Sequence, residues 1–253
     1  MFGGISSAVT GPSPELEAVR HTGLAAAEAG TDLPSCRSVL AVCAHPDDES
    51  FGLGAVIARF CELGSDASVL CFTHGEASTL GKTDEVDLGA LRQHELASAA
   101  EVLGARMARL LRYDDGQLAS QSPATLAEDV VTAARDVGAD LVLVFDDGGI
   151  TGHEDHQAAT RAALLAAASL ELPVLAWAVE AVFAERLNSA LGTGFIGRHI
   201  SELDIQIRVD RAKQLRAIAC HESQARDNPV LRQRLATQGD REVCRWLRRP
   251  ARQ

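Results

Sequence analysis

Two short clusters of histidine and carboxylate residues have the types and spacing that metal-assisted hydrolysis requires. The first cluster is His45-Pro46-Asp47-Asp48-Glu49, directly after the apolar run SVLAVCA. A histidine nitrogen and a carboxylate oxygen three residues apart are suitable zinc ligands, and Pro46 restricts the backbone so that both can turn toward one point. Asp47 is then left to take a proton from water. The alternative, in which both aspartates only cap the following helix, leaves His45 unexplained.

The second cluster follows another apolar run, ADLVLVF, and a glycine-rich turn. His153 and His156 are three residues apart, so they project from neighbouring positions on one face of a helix start. Asp155 between them could accept the N–H of a histidine ring and orient it, as residues behind metal ligands commonly do. A lone helical histidine is usually a surface or packing residue. Two of them, combined with the first cluster, favour a metal site.

Four candidate ligands are more than a catalytic zinc usually takes from a protein. Such a zinc has three protein ligands and one open position, so one of His45, Asp48, His153 and His156 should have another role. If His156 completes the ligand set, His153 is free to act as a cation that stabilises an oxyanion and donates a proton to a leaving amine.

The elements that would position both clusters alternate between strand and helix along the chain. Strands are predicted at residues 38–45, 67–73, 106–113, 139–145, 173–179 and 203–209, and helices at 53–60, 87–103, 123–137, 153–168, 211–222 and 241–249. Residues 180–197 are less regular. This order predicts a single α/β domain at residues 38–253, Rossmann-like, with a mainly parallel sheet and helices on both faces, after an N-terminal extension of residues 1–37. Both clusters then lie at carboxyl ends of strands, where such folds carry their chemistry.

Composition restricts the partners. A formal net charge of -11 and a pI near 5.2 argue against a nucleic-acid partner, because phosphate binding needs a concentrated basic surface. Five arginines near the end are interpreted as a solvated helix face with a frayed tail: Arg241, Arg245, Arg248, Arg249 and Arg252. Neither a secretory signal nor a membrane-spanning stretch is predicted, which favours a cytoplasmic protein. A homo-oligomer is compatible with the sequence.

AHPDDE, at residues 44–49, and GHEDH, at residues 152–156, together strongly resemble the paired motifs of the PIG-L/LmbE-like deacetylases. Members of that family remove acetyl groups from N-acetylglucosaminyl lipids and conjugates. The likeness extends over about residues 38–224. Its smaller matches are Thr73, Gly75, Glu76, Arg92, Glu95, His221, Ser223 and Gln224.

The resemblance implies a role for each matching residue. His45, Asp48 and His156 would bind Zn²⁺, Asp47 would be the general base, and His153 the electrostatic stabiliser and acid. Further residues are expected behind the ligands or against substrate: Asp155, Glu49, Arg92, Glu76 and His221. Arg92 and Glu95 are expected to form an ion pair. Thr151 stands where some sugar-processing members carry a carbonyl-polarising tyrosine.

The function predicted from these features is hydrolytic. A zinc-dependent enzyme would remove an N-acetyl or other small N-acyl group from a GlcNAc-type or sugar-like small molecule, releasing acetate and a free amine. The alternatives are an amidase for a larger amide conjugate and a non-catalytic module that binds a sugar or a metal. A nucleotide-binding protein is disfavoured because Gly52 and Gly54 lack the third glycine of the dinucleotide fingerprint. The metal hypothesis requires the His45 and His156 imidazoles to lie within about 5 Å of each other.

Overall fold

The computed structural model describes residues 30–80 and 87–251. Its strands are β1 (Ser38–Cys43), β2 (Asp66–Thr73), β3 (Met107–Tyr113), β4 (Leu141–Phe145), β5 (Val174–Glu180), β6 (Gly197–Arg198), β7 (Ile205–Arg208) and β8 (Arg241–Arg248). Its helices are α1 (Asp48–Phe51), α2 (Gly54–Glu62), α3 (Leu88–Leu103), α4 (Pro123–Val137), α5 (Gly149–Gly152), α6 (Glu154–Leu170), α7 (Ala181–Leu191), α8 (Ala212–Cys220), α9 (Glu222–Ala225) and α10 (Pro229–Gln238).

These strands form one eight-stranded sheet in the order β3-β2-β1-β4-β5-β8-β7, with β6 beside β5. Strands β1 to β6 pair in parallel, whereas β8 runs antiparallel to both of its neighbours. The predicted α/β class with a mainly parallel sheet is therefore confirmed. None of the described helices is both long and apolar enough to cross a membrane.

Alternate residues of the central strands pack into two hydrophobic cores, one on each face of the sheet. Along β1, Val39 and Cys43 point into a core that α2 and α3 cover, whereas Leu40 and Val42 point into a core that α4 and α6 cover. Both faces of a mainly parallel sheet are buried in this way because the crossover helices pack on both sides. The continuous apolar runs in the sequence follow from this double burial.

The pairing of β1 with β4 explains why two distant motifs meet. Val39 lies beside Leu141 and Ala41 beside Leu143 in parallel register. The two strands therefore end at the same edge of the sheet. The chain that leaves β1 carries residues 45–49, and the chain that leaves β4 carries residues 146–156.

The prediction of a helix at residues 241–249 is wrong, because this segment is strand β8. Its arginines recur at a spacing that fits a helix, but the residues between them decide the structure. Val243 and Cys244 are buried in the sheet, and Glu242 is fully buried between β8 and the helices. Insertion between two strands thus outweighs the local charge pattern.

The arginines of β8 are not a solvated helix face. Arg245 binds Asp146 and Asp147, Arg241 binds Glu180 at 2.7 Å, and Arg249 pairs with Asp204 at 2.5 Å. The contacts of Arg245 and Arg241 connect β8 to the ends of β4 and β5, whereas Arg249 follows β8 and its partner Asp204 precedes β7. Arg252 lies outside the described residues.

Two helices differ from the sequence-based expectation. Residues 180–197, expected to be irregular, contain α7. Helix α10 was not predicted, because four of its ten residues are glutamine or arginine and two of these, Arg234 and Gln238, lie on its buried side. Of the expected extension, residues 1–29 lie outside the described residues. Gly30 pairs with Ile205 of β7, and Leu33 is buried, so residues 30–37 pack on the domain.

Candidate metal and catalytic site

Three side chains bring ligand atoms together at the edge where β1 and β4 end. His45 Nδ1 lies 3.2 Å from His156 Nε2, and His156 Nε2 lies 3.2 Å from Asp48 Oδ1. His45 Nδ1 lies 3.8 Å from Oδ2, the other oxygen of the Asp48 carboxylate. Ligands about 2.0–2.2 Å from a tetrahedral zinc are separated by about 3.3–3.6 Å, so this donor set fits the ion. The ring centroids are 5.2 Å apart, but the facing nitrogens satisfy the distance that the metal hypothesis requires.

The other nitrogen of each ring is held by a partner that fixes its orientation. His156 Nδ1 donates to the Gly149 carbonyl at 3.1 Å, which leaves the Nε2 lone pair facing the metal position. His45 Nε2 lies 3.1 Å from Asp115 and 3.3 Å from Asp155. Partners of this kind set the tautomer and raise the basicity of a metal ligand.

The ionisable groups of the cluster shift one another's pKa values. Burial lowers the pKa of His45, but the hydrogen bonds to Asp115 and Asp155 outweigh burial and raise that pKa to about 10. Burial likewise opposes ionisation of Asp48, whereas His156 and His45 hold its pKa well below the usual range. Asp48 is thus a carboxylate at neutral pH and supplies negative charge at the position where a cation would bind.

Asp47 occupies the position expected of a base. Its side chain lines the same cavity as the ligands, and burial raises its pKa to about 6, although the charge of Arg92 opposes this rise. At neutral pH, a base whose pKa is close to neutrality is to a large extent deprotonated and still binds a proton strongly enough to take it from water. Its backbone has φ 121°, a region that non-glycine residues rarely adopt and that costs about 1–3 kcal/mol.

Buried neighbours hold Asp47 in this strained conformation. Its N–H donates to Glu49 Oε2 at 3.0 Å, and its carboxylate accepts from Arg92 at 3.0 Å. Glu49 is fully buried and is bound in turn by His221 Nε2 at 2.6 Å. The Arg92 guanidinium also donates to the carbonyls of Pro46 and Gly75. The first motif is therefore held by elements far along the chain.

His153 lies beside the ligands without belonging to the three-residue set. Its ring stacks on His156 with centroids 4.7 Å apart, and its Nδ1 accepts the Asp155 N–H at 3.2 Å as the cap of α6. Burial, followed by the charges of His156 and His45, lowers the pKa of His153. The predicted cation is therefore disfavoured, because Nδ1 already accepts a hydrogen bond. A neutral ring with its proton on Nε2 can still donate a hydrogen bond into the cavity.

These groups line a cavity of about 490 Å³. Its lining also includes apolar and aromatic side chains, Phe51, Phe145, Trp177 and Leu231. The Phe145 and Trp177 rings lie 5.4 Å apart, and Gly52 packs so closely against Phe145 that a Cβ would come within 2.3 Å of the ring. A concave, largely apolar site with a few convergent polar groups is typical of small-molecule binding.

The remaining predicted residues take different places. Arg92 binds Asp47 instead of forming the expected ion pair with Glu95, and Glu95 accepts from the backbone and hydroxyl of Ser223. Glu76 is exposed and does not line the cavity, but it accepts the Asp115 N–H at 2.9 Å. Thr151 lines the cavity.

Sequence reasoning missed Asp115, Phe145, Trp177 and Arg234. Asp115 lies two residues after the end of β3, so the rule that points to the carboxyl ends of strands could have found it. Phe145 and Trp177 lie in apolar strands and read as core residues. Arg234 lies on α10, which was itself not predicted.

The sequence also matches a known family over the region that carries both motifs. The model of the PIG-L family, described as GlcNAc-PI de-N-acetylase, matches residues 40–167, just over half of the chain. The chain belongs to the PIG-L family. Within this family match lie His45, Asp47, Asp48, His153 and His156.

Individual relatives extend this comparison. A 1D-myo-inositol 2-acetamido-2-deoxy-alpha-D-glucopyranoside deacetylase of Kineococcus radiotolerans is 33% identical over 165 residues, which cover 52% of this chain and 46% of the relative. The chain thus spans about half the length of the first curated relatives it matches. A probable N-acetyl-alpha-D-glucosaminyl L-malate deacetylase 2 of Bacillus anthracis is 26% identical, covering 84% of this PIG-L chain and 92% of the relative.

A solved structure supports the fold of this PIG-L protein. The deacetylase of the A40926 pseudoaglycone superposes with a TM-score of 0.63 and 21% identity, covering 85% of this chain and 98% of that one. At this level of identity the likeness establishes the shared fold alone.

Proposed function

We propose that this PIG-L protein is a zinc-dependent hydrolase that removes an N-acetyl or other small N-acyl group from a GlcNAc-type or sugar-like amine. The observation that carries the proposal is the convergence of His45, Asp48 and His156, whose facing atoms lie 3.2–3.8 Å apart. Two imidazole nitrogens and one carboxylate form a donor set that suits a catalytic zinc with an open position. The family match and the N-acetylglucosaminyl substrates named for two relatives support the substrate class.

When bound, zinc supplies Lewis-acid chemistry that makes water a stronger nucleophile and polarises the substrate carbonyl. Asp47 is positioned to accept the proton of the attacking water, because Glu49 and Arg92 fix its backbone and its carboxylate. His153 donates from Nε2 to the developing oxyanion. The proton on Asp47 can then pass to the amine nitrogen as the C–N bond breaks. The products are the free amine and the acid of the acyl group.

The experiment that tests this proposal combines metal analysis with an activity screen. Purified protein is analysed for zinc, iron and cobalt, because all three accept nitrogen and oxygen ligands. The same preparation is screened for amine release from N-acetylated sugars, before and after treatment with a chelator and after addition of each metal. We expect amine release that the chelator abolishes and zinc restores. Activity that survives complete removal of metal would contradict the proposed role of zinc.

A further inference from the structure

Arg234 is the feature of the cavity that the proposed function does not use. It lies on the inner face of α10, together with Leu231 and Gln238, and all three are almost fully buried. Arg234 also lines the cavity that contains the ligands. Burying a guanidinium is costly unless an opposite charge compensates it, so the partner of this charge must be identified.

No described carboxylate lies within 4.0 Å of the Arg234 guanidinium. Its hydrogen bonds go to uncharged acceptors, the Phe51 carbonyl and the Gln238 side chain, and a guanidinium carries more donors than these two acceptors use. Burial lowers its pKa to about 10, so the side chain is still charged at neutral pH. The charge is therefore buried without an ion pair.

Glu242 is the carboxylate whose charge acts on Arg234, but it is occupied by other partners. Its Oε1 accepts from Arg211 at 2.6 Å, and its Oε2 accepts the Trp177 N–H at 2.6 Å. One negative charge thus faces two arginines, Arg211 and Arg234. The cluster carries one excess positive charge, and Arg234 is its member on the cavity wall.

A row of aromatic rings joins this charge to the metal ligands. Phe145 lies 4.9 Å from the His156 ring, Trp177 lies 5.4 Å from Phe145, and the Arg234 guanidinium lies 5.3 Å from the Trp177 ring. A cation over an aromatic face gains about 0.5–2 kcal/mol, which offsets only part of the cost of burial. The row places the charge away from the scissile bond but inside the same cavity.

We infer that Arg234 recognises an anionic oxygen group, a carboxylate or a phosphate, on the amine part of the substrate. This inference rests on the proposed function, in which the acyl group is small, so that an anion reaching Arg234 belongs to the amine part. Guanidinium groups bind carboxylate and phosphate oxygens through paired N–H donors. An N-acetylglucosaminide with an acidic aglycone is the substrate class that the cavity favours.

The test compares three matched N-acetylglucosaminides that differ only in the aglycone. The aglycones are 3-hydroxypropanoate, its neutral amide, and 2-hydroxyethyl phosphate. We expect kcat/KM for at least one anionic compound to exceed that for the amide by about tenfold or more, equivalent to about 1.4 kcal/mol. A preference for the carboxylate or for the phosphate identifies the source of the anion. Equal rates for all three would overturn the inference while leaving the proposed function intact.

Variants and a binding measurement separate recognition from folding. In Arg234→Gln the ratio of anionic to neutral kcat/KM should fall to about one, and Arg234→Lys should recover part of it. Arg232→Gln, an exposed arginine of the same helix, should keep the wild-type ratio. The Kd of the corresponding free amines is measured by calorimetry on the wild-type protein. If no compound is hydrolysed, the proposed function fails. Equal Kd values for the anionic and the neutral amines would then overturn the anion site separately.

Discussion

His45 Nδ1 and His156 Nε2 face each other at 3.2 Å although 111 residues separate them in the chain. Neither ring reaches this position by itself. The His45 ring is held by Asp115 and Asp155, and the His156 ring by the carbonyl of Gly149. The geometry of the candidate metal site thus depends on three chain segments that meet at one edge of the sheet, and each segment offers a separate test.

Exchanging Asp47, the proposed base, should separate metal binding from turnover. In Asp47→Asn we expect the zinc content to remain and kcat to fall by about 10²–10⁴-fold, because an amide cannot accept the proton. His156→Ala should lose the metal itself, since two ligands remain. Metal analysis and single-substrate kinetics on both variants check this. Full activity of Asp47→Asn would refute the assignment of the base, and His94→Ala, an exposed helical histidine, serves as control.

Asp115 should determine how tightly the metal binds. Its carboxylate lies 3.1 Å from His45 Nε2, and loss of such a partner typically weakens metal affinity by about 10–100-fold. We expect Asp115→Asn to fall in this range in a chelator competition assay. The neighbouring Asp114→Asn, which changes an exposed carboxylate, should bind zinc as the wild type does. Equal affinities of the two variants would mean that Asp155 alone orients His45.

Gly52→Ala should destabilise the protein through a steric conflict. The backbone at Gly52 has φ -94°, which alanine tolerates, but a Cβ there would lie 2.3 Å from Phe145 Cε1. Overpacking of this kind costs about 1–3 kcal/mol in the free energy of unfolding, measured by urea denaturation. Gly194→Ala meets only a carbonyl at 3.8 Å and is the matched control. An unchanged stability of Gly52→Ala would show that the Phe145 ring can move away.

The buried carboxylate of Asp146 should stabilise the protein in a defined pH range. Burial raises its pKa, but hydrogen bonds from Arg198 and Arg245 outweigh burial, so the folded pKa lies below 3.8. A depressed carboxyl pKa contributes stability that is present above the unfolded pKa and is lost as the pH falls through the folded pKa. We expect Asp146→Asn to cost about 3–5 kcal/mol at pH 7.

This difference between Asp146→Asn and wild type should stay constant from neutral pH down to about pH 5 and shrink only below about pH 4. Urea denaturation across this pH series measures it. Asp147 contacts the same two arginines but is 49% exposed, so Asp147→Asn should cost much less. A penalty for Asp146→Asn that persists unchanged into acid would show that packing, and not charge, is responsible.

The sequence allowed prediction of the elements whose apolar pattern decides their structure. The buried runs of β1 and β4 are long and uninterrupted, so both the strands and the position of the two motifs after them could be read directly. Strand β8 could not, because its arginines have a helical spacing. Arg241 and Arg245 meet their carboxylates, and Arg248 the carbonyl of Leu172, only after the sheet has formed. Insertion between β5 and β7 depends on contacts with residues distant in the sequence, which a short sequence window does not include.

The site was predictable to the same extent. His45, Asp47, Asp48, His153 and His156 have residue types that make poor core, and they come together at one edge as expected. Arg234 gave no such signal, because an isolated arginine in a polar segment reads as surface. Its burial depends on Trp177 and on the path of α10, which only the assembled fold reveals.

Strand β8 lies between β5 and β7, and its residue Arg245 binds Asp146 immediately after β4. During synthesis, residues 174–178 of β5 therefore keep an uncovered hydrogen-bonding edge until residues 241–248 have left the ribosome. Uncovered edges of this kind are sites of wrong pairing between chains. The cavity is consequently complete only after β8 has been made, although the first of the two motifs, at residues 45–49, precedes this strand by more than 190 residues.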